Sequence, residues 1–260
     1  MLDWLNSLPD AVIVIGFAVL MGGLIVVIPL IMRSLPIVAP TPENTEFVMR
    51  IQGTLFVMSG FALAFTLAQA QANVRHVDAL VAAEAAHINN LDRILTRYGE
   101  PSVAAIRPDL MTYANSVATL EWEAMHHDKE HEATMQAFAP VARAITAINP
   151  ANARQATLYT EMMKSIDQIM ESRALRLESV HIALPGIYWG VVIFAMGVLV
   201  LASCVIERTP FRNLALATQM SVLGAFIGIL FITDHPFHGE SAIGPDAFVK
   251  AMGEMKSRRN

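Results

Sequence analysis

The sequence predicts an all-α membrane protein, four transmembrane helices with a helical extramembrane domain inserted between the second and the third. Three observations predict it. Hydrophobic residues make up 54% of the 260-residue chain and charged residues only 16%, a balance that soluble domains do not show. The excess lies in four runs that carry no charge: Ala11–Met32, Ile51–Asn73, Ile182–Ile206 and Leu214–Thr233. Each is close to the roughly 20 residues with which a helix crosses about 30 Å of hydrocarbon. Four such runs in one chain outweigh the alternative, buried core helices of a soluble protein.

Residues 1–10, "MLDWLNSLPD", form an N-terminal tail with two acids and no Lys or Arg. That is not the basic start of a signal peptide, so the first run is expected to remain as a span. Residues 11–73 hold the first two spans, joined by "RSLPIVAPTPENTEF", whose three prolines predict an extended link. Residues 182–233 hold the last two, joined by the short "ERTPFR". Residues 74–181 are the expected extramembrane domain and carry most of the charge.

That domain reads as helical. Gln69–Tyr98 has no Pro or Gly and stops at "YGEP". A second helical stretch covers Pro108–Phe138, and "NP" at Asn149 and Pro150 restarts the chain for a third that reaches Leu184. In the third, Leu158, Met162, Ile166, Ile169, Arg173 and Leu177 follow a three-four spacing, with Arg173 interrupting an apolar stripe. Nothing but two glycines interrupts Ile51–Tyr98, so the second span is expected to continue without a break into the domain. Residues 234–260 are expected to form a C-terminal loop and tail.

The second span has a stripe of its own. Gln52, Ser59, Thr66 and Asn73 recur every seven residues along one side of an otherwise apolar helix. Two readings fit: a polar path lining a pore, or small and polar groups that knit helices together. No ionisable residue sits in the middle of any span, which weakens a proton relay or ion-coupled transporter and leaves a channel open. In "EWEAMHHDKEHE", His127 and His131 stand one helical turn apart, but no third ligand is fixed and a solvated helix end is the better reading. Glu84 and His87 read as surface or interhelix polar contacts. No phosphate loop, nucleophile elbow, CxxC or HExxH motif occurs, so no enzyme, cofactor or metal is expected. Basic residues are scattered over a chain of net charge −5, which gives no footprint for nucleic acid.

After the fourth span comes "DHPFHGESAIGPDAF", Asp234–Phe248. An acid is unfavourable at a helix C-terminus, so Asp234 needs a partner. Pro236 ends the helix, Phe237 offers an apolar anchor and Gly239 permits a sharp return. The stretch reads as a structural clamp on the roots of the neighbouring helices, with Arg75, Arg173 or Arg176 expected to pair with Asp234.

Layout and motifs together resemble a known family. The order "EAAHINNL", "YANSVATLEWEAM", "QATLYTEMM", "RALRL" and the closing D-x-P-F-x-G, carried by Asp234, Pro236, Phe237 and Gly239, is similar to bestrophin-like bacterial membrane proteins of uncharacterised function. Bestrophins proper are oligomeric anion channels whose second span lines a central pore. The resemblance therefore implies a homo-oligomeric, anion-permeable channel in the bacterial inner membrane, with the lipid bilayer, other copies of the chain and inorganic anions as partners. This chain departs from them at the pore neck, where Phe56, Phe61 and Phe65 stand without the expected proline. The alternative is a membrane-anchored helical sensor or scaffold without conduction. Arg33, Arg50, Arg208 and Arg212 on the short links balance Arg75, Arg173, Arg176 and Lys250 on the other side, so charge does not orient the chain.

Overall fold

A computed structural model describes residues 8–32, 41–125 and 131–258. Among these residues the chain is helical, with turns and short irregular links and no strand. Four of its helices are long and apolar enough to cross a membrane. The chain divides into two compact units, one made of Met1–Val74 with Ala183–Ala242 and the other of Arg75–Ile182 with Ile243–Asn260.

The first unit contains α1 (Asp10–Met32), the N-terminal part of α2 (Pro42–Tyr98), α8 (Gly186–Ser203) and α9 (Pro210–Thr233). Its core is apolar, with Ile25 and Leu63 packed among Val192, Met196, Leu223 and Ile227. The outward faces are apolar too. Val19, Phe61, Phe194 and Leu214 are each at least two-thirds exposed, and a surface of this kind fits hydrocarbon rather than water.

Glycine sets the closest helix approach in this unit. A Cβ on Gly224 would meet the Phe17 carbonyl oxygen at 2.5 Å, and one on Gly228 would meet Val14 Cα at 2.8 Å. On the facing helix, a Cβ on Gly22 would meet Ser221 Oγ at 2.3 Å. Small residues four apart let α1 and α9 touch backbone to backbone, the usual route to tight helix pairing in lipid.

The second unit holds the rest of α2, α3 (Pro101–Ala104), α4 (Arg107–Ser116), a π-helical turn at Val117–Glu121, α5 (Trp122–Met125), α6 (Glu132–Thr146), α7 (Ala153–Glu178) and α10 (Asp246–Ser257). The α7 stripe faces inward: Met162, Ile166, Ile169, Arg173 and Arg176 are buried. Asn152 begins that helix by accepting a hydrogen bond from the Gln155 N–H at 2.9 Å.

Several boundaries differ from the sequence reading. The helix that holds the second span starts at Pro42, inside the segment expected to be extended, and runs 57 residues without a break to Tyr98, about 85 Å at helical rise. Proline is tolerated in a first turn, where its missing N–H has no intrahelical partner. Thr41 Oγ1 accepts from the Asn44 N–H at 3.2 Å there. The Pro108–Phe138 stretch is divided by the π-helical turn. Helix α7 ends at Glu178, a short 3-10 turn follows, and the chain leaves helix at 182–185 before α8. The expected C-terminal tail contains α10, whose Phe248, Ala251 and Met255 form a buried stripe. The prolines of the first link at 36 and 40 and His127 lie outside the described residues.

Candidate functional site

Three groups of polar residues stand out against the apolar frame. On α2, Gln52, Ser59 and Thr66 are buried and Asn73 is half-buried. The Gln52 Nε2–H donates to the Leu199 carbonyl of α8 at 3.3 Å, and the Thr66 hydroxyl donates to the Ala62 carbonyl at 2.9 Å. Gln69 Nε2 donates to Asn73 Oδ1 at 3.4 Å. Within the single chain this stripe lies on the buried side of α2. A helix in hydrocarbon turns its polar side toward partners; Gln52 finds one on α8, whereas Thr66 and Asn73 are bonded within α2. The opposite side of α2 is left outward, with Val57, Met58, Phe61 and Phe65 exposed.

The second group is the loop after α9. Asp234 is buried at the C-cap, where its carboxylate accepts from the Leu184 N–H at 2.6 Å and from Trp189 Nε1–H at 2.9 Å. The non-helical stretch at 182–185 leaves backbone donors without helical acceptors, and Asp234 takes one of them. The expected pairing of Asp234 with Arg173 or Arg176 is corrected, because both arginines are engaged by glutamates of their own unit. Pro236 and Phe237 are buried, and Gly239 has φ 90°, a conformation that favours glycine. Farther along, Glu240 accepts from the Asp10 N–H at 3.2 Å and Ser241 donates to the Asp10 carboxylate. The loop thereby joins the starts of α1 and α8 to the end of α9.

The third group was not foreseen. Glu84 of α2, Glu121 at the end of the π-helical turn, and Arg173 and Arg176 of α7 form a buried ionic quartet. Arg176 Nε donates to Glu84 at 2.6 Å and Nη2 to Glu121 at 2.5 Å, while its third nitrogen faces the Met125 sulfur. The Arg173 guanidinium forks onto Glu121, with Nε donating at 3.1 Å. Tyr113 donates its hydroxyl to Glu84 at 3.3 Å. Trp122 and Phe248 flank the Arg176 guanidinium, each with its ring centroid 5.7 Å away.

Burial pushes the Glu84 carboxyl up and Arg176 pulls it back only in part, so it stays above the ordinary glutamate range. Burial likewise drives Tyr113 well above the ordinary phenol. Arg176 moves up, because the two glutamates outweigh its loss of water. Two acids and two bases balance the charge, and each arginine is hydrogen-bonded to at least one of the glutamates. The quartet ties α2, the π-helical turn and α7 together.

One signal for it was present in the sequence: Arg173 interrupts an apolar stripe at the position of a core residue. The burial of Glu121 was hidden by its hydrophilic surroundings and by the π-helical turn, whose extra residue re-aims a side chain. Of the proposed histidine pair, His131 is bonded through Nδ1 to the Thr134 hydroxyl at 2.9 Å. Among the described residues no group of three metal-ligating side chains occurs.

One family model, described as a bestrophin-like domain, matches residues 12–248. The chain belongs to the bestrophin-like family. Comparison with curated proteins and with solved structures finds no match. Bestrophin-like membership and four apolar helices together make this a multi-pass membrane protein.

Proposed function

We propose that the protein is a homo-oligomeric, anion-permeable channel of the bacterial inner membrane, without enzymatic activity, in which α2 lines the conduction path. The observation that carries this reading is the two-sidedness of α2. Gln52, Ser59 and Thr66 of its polar stripe are buried, while Val57, Phe61 and Phe65 are left outward on the opposite side. An oligomer of family members that use this span for the pore would present that outward face to the axis. A pore lined by apolar and aromatic side chains gates by narrowing and dewetting rather than by fixed charge. The absence of Asp, Glu, Lys and Arg from the apolar runs supports passive permeation over coupled transport.

The test is chloride efflux from liposomes holding the purified protein, together with its oligomeric mass in detergent. A channel gives protein-dependent efflux from an oligomer. A second reading, the membrane-anchored sensor or scaffold, is favoured by the inward polar stripe, since helices knitted in this way need no pore. A monomer without efflux would support it.

A further inference from the structure

The helical unit contains a half-open groove of about 450 Å³ beside the C-terminal helix, between α4, α10 and Asp92 of α2. That volume is within the roughly 300–1,000 Å³ range of small-molecule sites. Most of its wall is apolar, with Pro108 and Met111 on one side and Met255 on the other. Its charged groups are Asp92, Arg107 and Lys256. Asp92 is buried and already neutralised twice. It accepts from Arg107 Nε at 2.7 Å and Nη2 at 3.2 Å, and from Arg258 Nε at 2.9 Å. Arg107 Nη2 also donates to the Met255 carbonyl at 3.0 Å, so Nη1 is the nitrogen that these contacts leave unengaged. The neighbouring Glu254 is held by Asn89 at 2.6 Å.

Asp92 against Arg107 and the exposed Lys256 leaves the lining with an excess of one positive charge. An apolar slot under such a lining suits a molecule with one anionic end and a short chain. We propose that this groove binds an amphiphilic carboxylate, a medium-chain alkanoate, with its carboxylate against Arg107 and Lys256 and its chain along Pro108, Met111 and Met255. Binding draws α4 and α10 together, because both contribute walls. The site is independent of the conduction reading.

The test is calorimetric titration of butanoate, hexanoate and octanoate into the whole protein in lipid nanodiscs, with empty nanodiscs as the blank. Each added methylene should tighten Kd by about fourfold, the transfer free energy of one buried methylene. Hexanol should bind at least tenfold more weakly than hexanoate, and Lys256→Gln should weaken hexanoate several-fold. Met111→Trp, which fills the slot, should abolish binding. Ala105→Trp fills it from another wall and serves if the first variant does not fold. No heat above the blank for any acid would overturn the proposal, as would undiminished octanoate binding in a folded slot-filling variant. Equal affinity for hexanol and hexanoate would overturn the assignment of an anion.

Discussion

Arg176 loses all contact with water, and what it gains depends on both of its glutamates being present. Moving a charge out of water costs several kcal/mol even after relaxation, and only saturated pairing offsets that. Replacing Arg176 by Met should therefore destabilise the protein by about 3–5 kcal/mol, because Glu84 loses its cation and stays buried with only the Tyr113 hydroxyl as partner. Denaturant unfolding of the purified protein measures this, and a loss under 1 kcal/mol would contradict the picture of a locked quartet. Asp234 is a milder case. Asp234→Ala should cost about 1–3 kcal/mol through the stranded Leu184 and Trp189 donors, and Asp234→Asn, which keeps an acceptor, should cost less. Thermal melts of the two variants side by side decide the order.

Helices α1 and α9 belong together through absent side chains rather than present ones. A side chain at Gly228 would have to push the Val14 backbone away, so Gly228→Val should destabilise by about 1–3 kcal/mol or more. Gly16 has nothing within 4 Å of its Cβ position, and Gly16→Ala should leave the melting temperature unchanged or slightly raised. Equal effects at the two glycines would show that close packing of α1 on α9 does not hold the first unit together. In the second unit α10 is anchored by Phe248, which lies over Arg176 and edge-on to Trp122. Phe248→Ala should cost about 3–5 kcal/mol and should speed amide exchange along α10. At this scale the sequence was a good guide where the signal was local. Runs without charge and the continuity of α2 from the second span to Tyr98 follow from residue type. Helix α10 was missed because its stripe of three residues, Phe248, Ala251 and Met255, follows a turn-rich stretch that reads as a tail. The quartet was missed for a different reason. Its members are distant in sequence, and nothing at Glu84 or Glu121 alone distinguishes a buried carboxylate from a solvated one.

In the molecule as a whole, the polar stripe of α2 was legible as a pattern but its direction was not. Periodicity shows that Gln52, Ser59 and Thr66 share a side, and only the packing of α8 shows that the side is inward. The resulting account assigns conduction to the other side of α2, where Phe61 and Phe65 stand. The most direct measurement is chloride efflux from liposomes before and after a negatively charged thiol reagent, in a Cys204→Ser background carrying either Phe61→Cys or Ser59→Cys. The account predicts that the reagent changes efflux sharply in the Phe61→Cys protein and leaves the Ser59→Cys protein as it was. Modification that acts through Ser59→Cys and spares Phe61→Cys would contradict it, and so would a folded oligomer that passes no chloride before the reagent is added.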